Sequence, residues 1–243
     1  MLELRDISYQ VNDDESNKEI LRHISLKIEE GFTAVTGPNG GGKSTLAKII
    51  AGILKPTSGR ILLDGQDITD LSITEHARCG VSFAFQQPVR FKGLTVSDLI
   101  TMAAGRALSV SETCTYLSKV GLCARDYIDR EVNASLSGGE LKRIEIATVI
   151  ARGTKLSLFD EPEAGIDLWS FNNLIRVFED LRESIHGTLL IISHQERILN
   201  IANHIVVIAD GELQTEGARD EVLPLLLKQE SDTCTVLTDK LGR

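Results

Sequence analysis

The chain has 243 residues, with 26 lysines and arginines against 35 aspartates and glutamates, for a formal net charge of −9. That length holds one large domain, or two lobes sharing a core, and the acidity excludes a bulk electrostatic grip on nucleic acid or an anionic membrane. A composition of 42% hydrophobic and 25% charged residues excludes a disordered chain, and with only 5% aromatics the core must rest on Leu, Ile, Val and Ala.

The first residues, Met1 to Asp6, lack the basic-then-apolar layout of a signal segment. Leu2-Glu3-Leu4-Arg5, Ile24 to Glu29 and Phe32 to Thr36 alternate as strands do, and the acidic stretch Asn12 to Lys18 between the first two reads as a solvated hairpin loop. Helical spacing begins after Lys43, over Leu46 to Ile53, and recurs at Val96–Arg106, Ser111–Val120, Gly138–Ala151, Leu168–Arg182 and Arg219–Lys228. Short apolar strands end at Asp160 and Ser193, and another covers Ile205–Ala209. The runs Leu189–Ile192 and Ile205–Ala209 are strand-length, far below a bilayer span, so the expectation is a cytoplasmic protein with no direct membrane insertion. Strands alternating with helices predict an α/β fold built on a largely parallel sheet covered on both faces. The antiparallel strands at the front depart from a simple doubly wound sheet, and Pro88 to Leu136 reads as an inserted helical lobe. Cys79, Cys114, Cys123 and Cys234 show neither a CxxC pair nor zinc-ligand spacing and read as reduced structural thiols.

The strongest chemical signal is Gly37-Pro38-Asn39-Gly40-Gly41-Gly42-Lys43-Ser44-Thr45, which fits GxxxxGK[ST] between a strand and an apolar helix. Glycines let successive backbone N–H groups turn toward phosphate oxygens, and the following helix offers its N-terminus to the same anion. Lys43 supplies charge to the β- and γ-phosphates, and Ser44 can hold Mg²⁺. Leu156 to Phe159 form an apolar run ending in Asp160 and Glu161, which suits a metal-linked carboxylate followed by a base. Alone, that pair would equally suit a solvated loop. Leu136-Ser137-Gly138-Gly139-Glu140 opens a helical run, where Ser137 alone would read as a helix cap.

Together these residues resemble an ATP-binding-cassette (ABC) ATPase from about Leu2 to Gly217. Gly37 to Thr45 matches its Walker A loop, Gln86 the Q-loop, Leu136 to Glu140 the LSGGQ-type signature, Leu156 to Glu161 Walker B, Ala164 to Asp167 the D-loop and His194 the switch histidine. The resemblance implies a P-loop NTPase fold: a RecA-like core with an antiparallel β subdomain and an inserted helical lobe. It implies a single ABC ATPase domain over 1–243, with the core lobe at 1–87 and 137–243 and the helical lobe at about 88–136. It also implies ATP and Mg²⁺ as ligands, with Ser44, Gln86 and Asp160 around the metal. Two copies would close head to tail around two ATP molecules, Ser137, Gly138 and Gly139 of one covering the γ-phosphate held by the other. Glu161, His194 and Gln86 would carry hydrolysis, and Asp167 would couple the two sites. His23, His76, His186 and His204 read as surface or core residues. The family's adenine-stacking aromatic falls at Val11, and Tyr9, two residues away and on the same strand face, is its substitute.

Within the family, Ala84-Phe85-Gln86-Gln87-Pro88, His194-Gln195-Glu196-Arg197-Ile198-Leu199 and the acidic Glu145 resemble SufC, the ATPase of SUF iron–sulfur cluster assembly, which implies a soluble SufB/SufD-like scaffold as partner. Glu161-Pro162 instead matches the transporter pattern, whose partner is an ABC transporter membrane subunit. DNA-repair and chromosome ATPases of this family need a long insertion between Walker A and the signature, and the sequence has none.

Overall fold

The computed structural model describes residues 1–13, 16–133, 135–184 and 187–228. Strand β1 (Leu2–Asp13) pairs antiparallel with β2 (Ser16–Ile28) from Leu2 opposite Ile28 to Asp13 opposite Ser16. The hairpin loop expected at Asn12–Lys18 is therefore mostly strand: Val11 lies opposite Lys18, and backbone pairing overrides the polar composition. Strand β3 (Gly31–Thr36) feeds through Gly37–Gly42 into helix α1 (Lys43–Ile50), which starts at the first residue after the glycines. Then come β4 (Ser58–Leu63), β5 (Gln66–Asp67), helix α2 (Ile73–Cys79) and β6 (Val81–Ala84). None of these last elements is among those expected from the sequence. The order β2-β1-β4-β5 makes a four-stranded antiparallel sheet.

The segment after β6 is helical: α3 (Val96–Ala104), α4 (Val110–Lys119) and α5 (Ala124–Tyr127), with a lone antiparallel bridge between Thr95 and Glu131. Helix α6 (Gly138–Arg152) leads to β7 (Leu156–Asp160), α7 (Leu168–Ser184), β8 (Thr188–Ile192), α8 (Glu196–Ile201), β9 (His204–Ala209), β10 (Glu212–Ala218) and the helical residues 219–228. The second sheet has the order β10-β9-β3-β8-β7-β6, parallel throughout except for β10 at its edge. This is the α/β fold expected of a P-loop NTPase.

Burial on both faces explains why its strands read as continuous apolar runs. Phe32, Ala34, Leu189, Ile191, Ile205 and Val207 face one core, shared with α6, α7 and the helices of the 96–127 segment. Their alternates, among them Val35, Leu190, Ile192, Val206 and Ile208, face a second core filled by α1 and the antiparallel sheet. Phe178 of α7 is fully buried and lies against both Phe159 and Phe32, with ring centroids 5.3 and 6.5 Å away. Cys79, Cys114 and Cys123 are free thiols, while Cys234 and His186 lie outside the described residues.

Capping boxes start four of these helices, Ser72 and Glu75 capping α2. Thr95 and Asp98 cap α3, Ser109 and Glu112 cap α4, and Ser137 and Glu140 cap α6. Glu140 also ties α6 to α5, accepting from the Tyr127 hydroxyl at 2.5 Å and facing Arg130 at 3.5 Å. Burial pushes the Glu140 carboxyl up, but the Tyr127 hydroxyl, the Ser137 N–H and hydroxyl, and Arg130 together bring it down to about 2. A carboxylate depressed in the folded state contributes stability above its unfolded pKa and loses it as pH falls through the folded value. The stability advantage of the native chain over Glu140→Gln should therefore hold near neutral pH and decline between pH ~4.5 and ~2, measured by urea unfolding across that range. In the same assay at pH 7, Phe178→Ala should lower unfolding free energy by about 3–5 kcal/mol, the range for an aromatic deleted from a close-packed core.

Candidate functional site

The site is set by sheet register. Val35 pairs with Ile192, and Ile192 with Asp160, so β3, β8 and β7 end in one row. In β6, Ala84 pairs with Phe159, which brings Gln86 level with Glu161 just beyond the strand ends. The loop Gly37–Gly42, the Ser193-His194 turn, the Asp160-Glu161 pair and Gln86 thus emerge from adjacent strands at one sheet edge, the carboxyl edge where α/β sites form.

At the loop, Gly37 has φ 132° and Gly42 φ 100°, backbone that favours glycine. A Cβ on Gly37 would stand 2.1 Å from the Ile208 carbonyl oxygen, and one on Gly42 2.6 Å from Leu21 Cδ2, so side chains are shut out by β9 and β2. The Lys43 ammonium donates to the Gly37 and Pro38 carbonyls, both at 2.7 Å, which folds it back over the loop. Burial pushes its pKa down, opposed by the charges of Glu161 and Asp160.

Ser44 Oγ donates to Asp160 Oδ1 at 2.9 Å, joining the first turn of α1 to the end of β7. Asp160 is 3% exposed, and burial raises its pKa against the hydrogen bond from Ser44, with Glu161 adding to the rise. Glu161 sits at φ +43°, a conformation costing a non-glycine residue about 1–3 kcal/mol, and its N–H donates to Ile192 O at 3.0 Å. Gln86 Nε2 donates to the Glu161 carboxylate across the β6–β7 boundary. A buried carboxylate, a hydroxyl and an amide are hard oxygen donors of the kind Mg²⁺ takes alongside phosphate and water. Among the described residues, no cluster of three or more His, Cys, Asp and Glu could hold a metal by itself.

His194 is exposed and lines a cavity of about 480 Å³ with Thr36, Gly37, Pro38 and Asn39, walled on its far side by Leu223 and Leu226 of the helical residues 219–228. Ser137 and Gly138 are exposed at the start of α6, and a Cβ on Gly138 would stand 3.8 Å from the Gly165 carbonyl oxygen. The signature therefore lies beside the Ala164–Asp167 loop, where Asp167 Oδ1 accepts from Ser170 N at 3.0 Å. One chain thus carries the phosphate loop with its carboxylates and, beside the loop that follows Glu161, the exposed Ser137-Gly138 turn.

Tyr9, expected as the substitute for an aromatic at Val11, does not share its surroundings. It packs against the core between the sheets, while Val11 is 38% exposed. The register shift between Tyr9 and Gln10 leaves the extra residue, Ile20, in β2. Two further groups were not paired by sequence reasoning. Glu163 is buried and accepts from Ser193 Oγ at 2.5 Å; burial pushes its pKa up, opposed by that hydrogen bond. Lys142, 1% exposed, pairs with Glu145 at 2.9 Å and donates to the Phe85 carbonyl, while Glu145 accepts the Phe85 N–H at 3.0 Å. The Glu-Pro-Glu spacing could have drawn attention to Glu163, but its link to Ser193 is a tertiary contact that no local pattern announces.

The sequence model of the ABC transporter family matches residues 21–164, which hold the phosphate loop, Gln86, the signature and both carboxylates. An uncharacterised ABC transporter ATP-binding protein of Methanocaldococcus jannaschii is 40% identical over 215 residues, 85% of this chain and 86% of the relative. Among solved structures, a dimeric ATP-binding cassette in a post-hydrolysis state bound to ADP and Pi shares 25% identity at a TM-score of 0.80, covering 90% of this chain and 99% of its own. CbiO1 from Clostridium perfringens, part of the ABC transporter complex CbiONQ, shares 28% identity at a TM-score of 0.76, covering 92% of this chain and 90% of its own. These names are those of ABC transporter components, and the finer resemblance to SufC is not among what they carry. The match over the motif-bearing half of the chain and the likeness to a nucleotide-bound cassette lead to one conclusion: this chain belongs to the ABC transporter family and is an ATP-binding ATPase.

Proposed function

We propose that the chain is the ATP-hydrolysing subunit of an ABC assembly, in which two copies close around ATP and move a partner seated beside the Q-loop. The observation that carries this reading is the union of Lys43, Ser44, Asp160, Glu161 and Gln86 at one sheet edge, with the signature of the same chain exposed beside the Ala164–Asp167 loop. A half-site of each kind on every copy is completed by head-to-tail pairing. The N–H groups of Gly37–Thr45 and the ammonium of Lys43 hold the β- and γ-phosphates. Ser44, Asp160 and Gln86 would hold Mg²⁺, which when bound neutralises charge developing on the phosphates. Glu161 orients the attacking water and takes its proton, and His194 contacts the γ-phosphate from the next strand end. Ser137, Gly138 and Gly139 of the second copy cover that phosphate, and Asp167 links the two sites. The chain works as a single domain whose core lobe, 1–87 and 137–243, binds the phosphates while the helical lobe near 88–136 turns on it.

The partner's seat is an apolar groove of about 230 Å³ lined by Phe85, Val89, Phe91, Leu99, Leu141 and Ile144, between the Q-loop, α3 and α6. An apolar groove of this shape suits an amphipathic helix of a membrane subunit, in keeping with the transporter names of the relatives. Among the described residues, no helix is long and apolar enough to cross a membrane, so such spans would come from the partner. A second reading, a SufC-type ATPase on a soluble SufB/SufD-like scaffold, is favoured by one cluster. Glu145, acidic where transporters typically carry a small residue, holds the Phe85 N–H of the Ala84–Pro88 loop.

Glu161→Gln should retain ATP binding, lose about 10²–10⁴-fold in kcat, and accumulate as an ATP-dependent dimer on gel filtration; native turnover in that variant would remove Glu161 as the base. Capture of partners on the tagged full chain from its native host separates the two assemblies. A polytopic membrane protein supports transport, and a soluble scaffold with cluster-ligating cysteines supports iron–sulfur assembly in its place.

A further inference from the structure

Glu163 takes no part in the steps above, yet the fold buries it, leaving the residue 9% exposed. Its Oε1 accepts from Ser193 Oγ at 2.5 Å, while Oε2 is buried without a hydrogen-bond partner. A half-satisfied carboxyl of this kind costs stability, and an apolar side chain of similar volume would fill the space without that cost. Packing alone therefore does not account for it.

The other end of the contact is Ser193, the residue before His194. Ser193 is fully buried, its N–H donates to Val35 O at 3.1 Å, and its hydroxyl also accepts the Gln195 N–H at 3.0 Å. His194 is thus flanked on both sides by residues whose positions depend on one hydroxyl, and that hydroxyl is oriented by Glu163. Glu163 in turn belongs to a braced turn, in which Ala164 N–H donates to Glu161 O at 3.0 Å and Ile166 N–H to Glu163 O at 3.1 Å.

We propose that Glu163 is a positioning residue for His194: through Ser193 it sets the direction in which the histidine leaves β8, and it couples that direction to the segment that carries Glu161 and Asp167. The inference rests on the reading of His194 as the γ-phosphate contact. It asks nothing of Glu163 beyond accepting one hydrogen bond, so an amide in its place serves nearly as well, and a methyl group does not.

Steady-state ATPase assays on the full chain test it, with His194→Ala, Glu163→Ala, Glu163→Gln, Ser193→Ala and the Glu163→Ala/Ser193→Ala double variant. Glu163→Ala and Ser193→Ala should each lower kcat by about tenfold or more while KM for ATP stays within about twofold, since phosphate binding at Gly37–Thr45 is untouched. Glu163→Gln should restore most of the rate, and the double variant should be no slower than the slower single one, as expected of two residues acting through one contact. A native kcat in Ser193→Ala overturns the proposal and does not depend on whether Glu163→Ala folds. Loss of rate in Glu163→Gln equal to that in Glu163→Ala overturns it as well. A native rate in His194→Ala overturns the role of the histidine itself, a failure distinct from the other two.

Discussion

Val35, Ile192 and Asp160 stand in one hydrogen-bonded row across three parallel strands, and the arrangement of the site depends on that alignment. Parallel strands end on the same side, so the first residue beyond each is delivered to a common edge. The row is protected by burial on both faces. A one-residue slip of β8 would carry Leu189 and Ile191 out of the core they share with α7, and Leu190 and Ile192 out of the core they share with α1. The 2.9 Å contact between Ser44 and Asp160, 116 residues apart in sequence, is a consequence of that register.

Charge is handled at this edge by pairing. Lys43, Asp160, Glu145 and Glu163 are buried enough that desolvation is the leading influence on each, and each is held by a polar partner: loop carbonyls for Lys43, Ser44 for Asp160, Lys142 and the Phe85 N–H for Glu145, Ser193 for Glu163. The chain's net charge of −9 is no measure of the local potential at the loop, where the Lys43 ammonium lies over the Gly37 and Pro38 carbonyls.

The phosphate loop, the carboxylate pair and the strand–helix alternation were legible because each is local. GxxxxGKS specifies its own turn, and an apolar run ending in acid marks a strand edge. The missed elements lack that self-sufficiency. Helix α8 spans only Glu196–Ile201, β5 only Gln66–Asp67, and both are held by their neighbours rather than by periodicity. Helix α2 could have been read, since Ser72 and Glu75 form a capping box and Gly80 closes the helix in the left-handed region. The Glu163–Ser193 contact could not be read because it joins segments separated by 30 residues.

Helix α6 ties the Ser137 turn to the loop bearing Phe85 and Gln86 through direct side-chain contacts. Its N-terminus is the signature Ser137, and its middle holds the peptide groups of Phe85 from both directions: Lys142 donates to the Phe85 carbonyl and Glu145 accepts the Phe85 N–H. The two side chains are three residues apart, so they lie on one helical face and neutralise each other at 2.9 Å. A small residue at 145 would leave the Phe85 N–H without this acceptor and Lys142, 1% exposed, without its counter-charge. Leu141 and Ile144, on the same stretch of helix, line the apolar groove with Phe85 and Val89. Whatever fills that groove therefore touches the helix bearing the signature and the loop bearing Gln86 at the same time. With 15 residues at about 1.5 Å each, α6 spans about 22 Å, and the groove lies where that helix meets Phe85.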